Sequence, residues 1–440
     1  MLFFLLACTP TATPEVTLTV GEVPMVPTLT WDGSSGRVHV EGPGVSFDTS
    51  AGVPADGIPV FSLAPATDYL LTAIAGDGRA LDTVDFRTPE LPDALSRTTV
   101  AFSDAEASTL GDGLVAMAVA AEHGSTVALV DATGTYRWWF AAEAGMTVAA
   151  PRPTLDRDGL WFAQHDAARE VDRGVATRLS WDGRERLDVR TPRGHHMIAE
   201  LPDGRVATLT HSTLDVAVDD EVRTILSDRI EVVDPYGEDD AEPEVVFDFF
   251  DTTEPWVPCG HADHRIDKWD YHGVYEWTHS NSLIHDPDEG RFYLMSWHLD
   301  ALLAIDDTSG EVVWQLGGRD ATRPFADPVD GPFDHGHTSW VDAEQAWVFD
   351  NRVHSGSTSR LVRYDLSADP VAITDVIFEA EGRNVGFLGD VQPAPDGHLL
   401  GAFTIPGDVV EYDASGRELW RVKLGPGSVL GRVRYVELPR

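Results

Sequence analysis

Histidine recurs at three places suited to act on a ligand: Gly194-His195-His196-Met197-Ile198, Trp277-Thr278-His279-Ser280-Asn281-Ser282 and His335-Gly336-His337-Thr338-Ser339-Trp340. Each precedes a short strand-like run and then a turn-forming cluster, so the three hold matching places in a repeating unit. The chain has 16 histidines in 440 residues, too few for chance to place one at all three. A neutral imidazole is a nucleophile and a general base, and its protonated form is a general acid. Three imidazoles brought to one point suit group transfer assisted by proton transfer. Asp350-Asn351 ends the strand after the third histidine and is placed to support the same site. A second group lies at Cys259, His261, Asp263, His264, Asp270 and His272. These are ordinary zinc-ligand types, but their spacing matches no ligand motif. A solvated lid and a set of substrate contacts are the other readings, and no metal is assigned.

The elements that would position these histidines are hairpins. One element is a strand, an Asp, a short Gly turn and a second strand. It occurs with its Asp at 131, 182, 234, 306, 365 and 413, six copies. A second hairpin turn precedes each copy, at 111–113, 156–159, 202–204, 286–290, 342–345 and 395–397. Asp-Gly turns supply the positive φ that tight hairpins need. Two hairpins make a four-stranded antiparallel sheet, which cannot bury both faces alone, whereas a closed ring of such sheets can. The reading is all-β: a six-bladed β-propeller over 97–440 preceded by an N-terminal β-sandwich over 15–92. Innermost strands begin near the central channel, so the three histidine segments line its mouth in blades three, four and five. The interval from Asp234 to Asp306 is the longest, and residues 250–275 are expected to form a long loop. Only 103–121 reads as a helical stretch of more than a few turns.

The formal net charge is −41, from 73 acidic and 32 basic residues. Such a surface repels nucleic-acid phosphates and anionic lipid headgroups. No nucleic-acid partner is expected, and an anionic ligand would need a local cationic or hydrogen-bonding pocket.

Two segments resemble known families. The start, Met1-Leu2-Phe3-Phe4-Leu5-Leu6-Ala7-Cys8, resembles a bacterial lipoprotein signal. That resemblance implies lipidation of Cys8, a tether through residue 14, membrane contact only through the lipid, and an extracytoplasmic location. Leu63-Ala64-Pro65-Ala66-Thr67-Asp68-Tyr69 and Phe86-Arg87-Thr88-Pro89 resemble the corner and last strand of fibronectin type III modules. Tyr69 would then hydrogen-bond back to the chain.

The strings Glu276-Trp277-Thr278-His279-Ser280-Asn281-Ser282-Leu283, Leu294-Met295-Ser296 and Gly310-Glu311-Val312-Val313-Trp314-Gln315-Leu316-Gly317-Gly318 are similar to the bacterial arylsulfate sulfotransferase family. Phe333 with His337-Thr338 and Val348-Phe349-Asp350-Asn351, and His195-His196 with Leu201-Pro202-Asp203-Gly204, are similar as well. The resemblance implies an exported six-bladed propeller that moves a sulfuryl group from an aryl sulfate donor to a phenol acceptor, with no cofactor. It places a covalent sulfo-histidine on His337, proton donation on His279 assisted by His196 or His195, and hydrogen bonds to sulfuryl oxygens on Asn281. Trp277, Trp297 and Trp340 are available to stack on a phenol ring or to pack the core. The family's usual Arg after the serine is replaced: the chain reads Ser296-Trp297-His298. Arg319, Arg323 and Arg352 are the candidate substitutes, with His298 a partial one. Without such a clamp, on the order of 2–4 kcal/mol of transition-state stabilisation is at stake. A non-catalytic surface lipoprotein that binds a ligand or partner is the competing reading. A quinone-cofactor propeller, which relies on repeated Trp motifs, calcium and usually eight blades, is a third.

Overall fold

The computed structural model describes residues 14–438, except 105–106, 112, 123, 167–170, 219–220, 238–240, 256–264 and 269–270. Cys8, Cys259, His261, Asp263, His264 and Asp270 lie outside the described residues. The chain divides into two compact units, with the main break between Leu91 and Pro92.

The first unit holds two antiparallel sheets. One is built from Thr17–Val20, Pro27–Thr30 and Ile58–Pro59, the other from Gly36–Gly42, Val45–Asp48, Asp68–Ala75 and Ala80–Arg87. Alternating side chains such as Val38, Val40, Leu71 and Ala73 are buried, as expected of strands with one face inward. The amide of Ala64 donates to the Tyr69 hydroxyl at 2.8 Å, so this tyrosine does close back on the preceding turn.

The second unit contains six sheets in chain order, each built on four antiparallel strands. It is a six-bladed propeller. Blade two is simplest, running Met146–Pro153, Gly159–Asp166, Val175–Ser180 and Arg186–Arg190 from inside outwards. The innermost strands of blades three to six are Gly194–Glu200, Ser280–Asp286, Gly336–Val341 and Asp390–Pro393. Turn aspartates close the outer hairpins as the repeat implies. Asp131, Asp306 and Asp413, for example, accept backbone N–H bonds from Thr133, Ser309 and Ser415 at 2.7–2.9 Å. Packing is mostly between neighbouring blades: Leu209, Leu283, Phe292 and Leu294 share one cluster, and Met295, Leu302, Val348 and Val362 another. Trp138 of blade one donates to the carbonyl of Trp181, between the third and fourth strands of blade two, at 2.8 Å, and Trp420 of blade six donates to Ala132 of blade one at 2.9 Å.

Both ends of the propeller segment take part in closure. Thr99–Ser103 adds an outer strand to blade six, and Val429–Val436 supplies the innermost strand of blade one. The turn at 111–113 therefore joins no inner strand, unlike the five turns that follow it. The helical expectation for 103–121 is also corrected. Leu114–Ala121 is a strand held on both sides, by Gly124–Asp131 and by the closing strand, and pairing on two edges overrides local helical propensity.

The long interval is not simply a loop. In blade three the hairpin Val206–Val218/Glu221–Val233 projects with 13 residues per strand. Arg265–Lys268 and Tyr271–Glu276 form a further hairpin, and the latter pairs in parallel with the extended strand. An exposed strand edge is a template for pairing, and the extra residues use it.

Closure predicts a measurable cost. Leu430 is fully buried in the closing strand. Leu430→Ala should lower stability by about 2–5 kcal/mol, read as an earlier urea midpoint in Trp fluorescence. A midpoint equal to that of the unaltered protein would show that the closing strand carries little of the fold.

Candidate active site

The innermost strands of blades three, four and five each break register once, between His195 and Ile198, Ser280 and Ser282, and Gly336 and Thr338. The residues left out of the ladder are His196 with Met197, Asn281, and His337. A bulge leaves a residue unpaired and re-aims its side chain. His196, His279 and His335 have φ of 54°, 46° and 57°, a left-handed backbone that costs most L-residues roughly 1–2 kcal/mol. His279 and His335, like Arg193 with φ 60°, sit one residue before the innermost strands of their blades, whereas His196 lies inside its bulge.

These bulges bring the sequence-predicted histidines together. The His196 ring centroid lies 5.6 Å from that of His279 and 6.4 Å from that of His337. His195 stands behind His196, their Nδ1 atoms 2.7 Å apart, and stacks on His211 at 4.1 Å. On its other side, His195 Nε2 is 3.0 Å from Asp228 Oδ1. Asp228 Oδ2 accepts from the Thr278 hydroxyl at 2.6 Å and from the Ser280 amide at 2.5 Å. Asp228 therefore ties blade three to the segment that presents His279. Burial would raise its pKa, but the hydrogen bond and charge of His195 outweigh burial and hold it well below the usual carboxylate range. Asp228 thus stands directly behind the His195–His196 contact that faces the channel.

His337 is 3 % exposed. Its Nδ1 is 3.2 Å from the carbonyl of Gly389 and 3.0 Å from Arg432 Nη1, which also donates to that carbonyl at 3.0 Å. Burial, then the charges of Arg432 and His279, hold the His337 pKa well below 6.5 against the opposing Gly389 bond. The ring is neutral at neutral pH. His196 is likewise held well below 6.5 by burial first and then by its charged neighbours. Gly389 is itself required: its φ is 103°, and a Cβ there would come within 2.3 Å of the Phe349 ring.

Arg432 is the site residue that reading the sequence missed. It lies on the closing strand, is 6 % exposed, and donates from Nη2 to the carbonyl of Asn281. Burial and Arg434 lower its pKa to about 10 while Asp390 opposes them, so it stays charged at neutral pH. The alternation Arg432-Val433-Arg434 was the available signal, an inward pair of cations on a strand of period two. The expected substitutes are corrected. Arg319 pairs with Asp320, and Arg323 donates to the carbonyls of Leu366 and Ala368. The Arg352 guanidinium makes no hydrogen bond among the described residues, and this residue's backbone instead braces the loop through Asp334.

Asn281 is fully buried, yet neither its Oδ1 nor its Nδ2 has a protein partner among the described residues. Leaving a buried polar group unpaired costs roughly 1–3 kcal/mol, so this amide is set to bind something. Trp297 lies half-buried, 5.3 Å from His279 and 5.0 Å from His298, with its Nε1 donating to Asn351 at 3.2 Å. His279 Nδ1 is 2.8 Å from Glu276. His298 is buried 4.9 Å from His279. Asn351 thus braces the aromatic wall, while Asp350 pairs with Arg360 at 2.7 Å and sits one layer behind. Trp277 is corrected to core: it is fully buried and stacks on Phe250 at 5.7 Å. Trp340 lies towards the far end of its strand, where it lines a cavity of about 470 Å³ with Arg152 and Arg434.

Three groups of carboxylate and imidazole stand close enough to share an ion: His195, His211 and Asp228; Glu276, His279 and His298; and Asp300, Asp334, His335 and His354. The first two belong to the channel cluster just described.

The arylsulfotransferase (ASST) family model matches residues 99–366. No curated protein matches the chain in sequence. Among solved structures, a protein of unknown function from Bacteroides caccae is similar at 14% identity, with 74% of this chain and 99% of that one covered and a TM-score of 0.46. The β-propeller domain of Cps50 (Swd1) from Myceliophteria thermophila is similar at 12% identity, with 75% and 87% covered and a TM-score of 0.38.

The buried histidines set a pH dependence. Burial takes His165 down to about 4 and holds His196, His211 and His337 well below 6.5. The unfolded chain binds more protons than the folded one below about pH 6.5. The stability these groups contribute is complete above that value and is lost as pH falls through it towards the folded pKa. Unfolding free energies from urea titration should drop between pH 7 and pH 5, by on the order of 1 kcal/mol per pH unit for each such histidine. His165→Gln should flatten the slope, and a flat profile in the unaltered protein would contradict the buried neutral rings.

Proposed function

The chain belongs to the arylsulfotransferase family, and from that premise we propose that it moves a sulfuryl group from an aryl sulfate to a phenol through a covalent intermediate on His337. The observation that carries this reading is the pairing of a buried neutral imidazole with a buried cation: Arg432 Nη1 stands 3.0 Å from His337 Nδ1. His337 Nδ1–H donates to the Gly389 carbonyl, which leaves the Nε2 lone pair to attack sulfur. The S–O bond to the aryl group breaks, and its electrons leave with the phenolate oxygen. That oxygen takes a proton from the imidazolium of His279, because a free phenolate has a pKa of about 10 and is a poor leaving group without one. The sulfuryl oxygens keep their negative charge throughout. The remaining Arg432 N–H donors and the orphan Asn281 amide are their partners in this reading, fixed in place before the reaction. The acceptor phenol then loses its proton to the same imidazole and attacks sulfur, releasing His337. Trp297 supplies the aromatic wall for the donor or acceptor ring.

We place the protein outside the cytoplasm, anchored through Cys8, on the lipoprotein-like start of the sequence. A sulfuryl donor that needs no activated nucleotide suits that setting.

The test is release of 4-nitrophenolate from 4-nitrophenyl sulfate in the presence of a phenol acceptor. His337→Ala should abolish release, and Arg432→Gln should reduce kcat about 10²–10³-fold, the range for removing one positioned charge stabiliser. Mass spectrometry after donor alone should find the sulfuryl group on His337. Absence of turnover, with no adduct, would sink the catalytic reading and leave a ligand-binding propeller.

A further inference from the structure

Outside the histidine channel, the described residues contain one other group of imidazoles and carboxylates close enough to share an ion: Asp300, Asp334, His335 and His354. They come from three loops. Asp300 follows the second strand of blade four, Asp334 and His335 enter blade five, and His354 lies between the second and third strands of blade five. From this geometry we propose that the four side chains form a tetrahedral zinc site on the channel rim. Nothing in this inference depends on the transferase reading.

The separations carry the argument. His335 Nδ1 is 3.2 Å from Asp300 Oδ1 and 3.2 Å from Asp334 Oδ1. His354 Nδ1 is 3.1 Å from Asp334 Oδ1 and 3.8 Å from Asp300 Oδ2. A tetrahedron with zinc–ligand bonds of 2.0–2.2 Å has edges of about 3.3–3.6 Å. Three of these contacts lie near the edge that zinc requires, the fourth reaches the other Asp300 oxygen, and one ligand atom from each of the four residues lies within 4.8 Å of the rest. The His335 and His354 rings are nearly perpendicular, at 85°, with centroids 4.1 Å apart. They open by about 1 Å when both turn their Nδ1 atoms to one ion.

Ligand chemistry and support agree with this assignment. Two neutral imidazoles and two carboxylates cancel the charge of a divalent ion, and mixed nitrogen and oxygen donors in a tetrahedron suit zinc rather than magnesium or calcium. The carboxylates are already oriented by main-chain donors, the supporting layer that metal sites use. The His335 amide donates to Asp300 Oδ1 at 2.6 Å, and the amides of His354 and Ser355 donate to the two oxygens of Asp334 at 3.0 and 2.9 Å. An entry path exists, because the His354, Asp300 and Asp334 side chains are 26%, 26% and 19% exposed, while His335 is buried. Bound zinc would tie the rim of blade four to that of blade five. It would also fix Trp297, whose ring meets His335 edge-on at 4.1 Å.

The rival explanation of the same contacts is a hydrogen-bonded ion-pair network with no metal. The full-length protein, stripped with EDTA, is given Zn²⁺ or Co²⁺, passed over a desalting column and assayed for metal by mass spectrometry. The proposal expects about one ion retained per chain and, with Co²⁺, the intense visible bands of a tetrahedral centre. Retention should be lost in Asp300→Asn and His354→Gln and kept in His195→Gln and His298→Gln. His354 is the more accessible of the two ligands tested, so its variant keeps the test decisive if Asp300→Asn misfolds. Zinc should also raise the thermal midpoint of the unaltered protein but not that of His354→Gln. No retained metal means the ion-pair network alone, and overturns the site. Metal lost with His195 or His298 instead would move it into the channel, and overturns the assignment equally.

Discussion

Ring closure is the constraint on which the rest of this molecule depends. Six sheets bury their faces only against one another, so the ring holds only if its first and last blades meet. The strand Val429–Val436 performs that closure, pairing along Leu114–Ala121 from inside blade one. Because it is the innermost strand, its inward residues enter the channel. Closure and the placing of Arg432 beside His337 are thus one structural event. The C-terminal strand is part of the fold and part of the site.

Within the closed ring, a local distortion repeats. Three neighbouring blades break the ladder of their innermost strands near the same end, and the unpaired residues are His196, Asn281 and His337. A regular strand would turn alternate side chains into the interblade packing. The bulge instead frees one residue in blades four and five, and two in blade three, from the ladder. Blade two has the same break, with φ of 51° at Ala150, but offers no reactive side chain there. The device therefore belongs to the fold, and its chemistry depends on which residue each blade places in it.

Electrostatics then distinguishes the channel from the surface. The protein carries a net charge of −41, yet Arg152, Arg432 and Arg434 lie along the channel without a carboxylate in salt-bridge contact among the described residues. Asp390 is the nearby countercharge that opposes the pKa depression of all three. Burial keeps the imidazoles of His196 and His337 neutral, and the arginines add to that effect because a charged ring beside a fixed cation is disfavoured. A neutral imidazole next to a cation that stays charged at neutral pH suits the binding of an anionic group. The same arrangement in water would be screened and weak.

Much of this was legible in the linear sequence. The Asp-and-Gly punctuation specifies hairpins through local backbone conformation, so the six units and the histidine-bearing heads of blades three, four and five could be read directly, although in blade four the place of His337 is taken by Asn281 and His279 lies just before the strand. Other features could not. Arg432 stands 95 residues from His337 and 151 from Asn281, on a strand whose repeat unit begins at the other end of the propeller. The hairpin of Arg265–Lys268 and Tyr271–Glu276 needs the edge of an extended blade-three strand that local propensity does not foresee. Arg352 sits next to Asn351 in sequence, but a left-handed backbone, φ 57°, places its amide against Asp334. Sequence alone determined the repeating hairpins and the residue types at their heads, because these rest on turn chemistry and periodicity. Only the tertiary structure decided which arginine meets which histidine, because that contact exists only once the ring has closed.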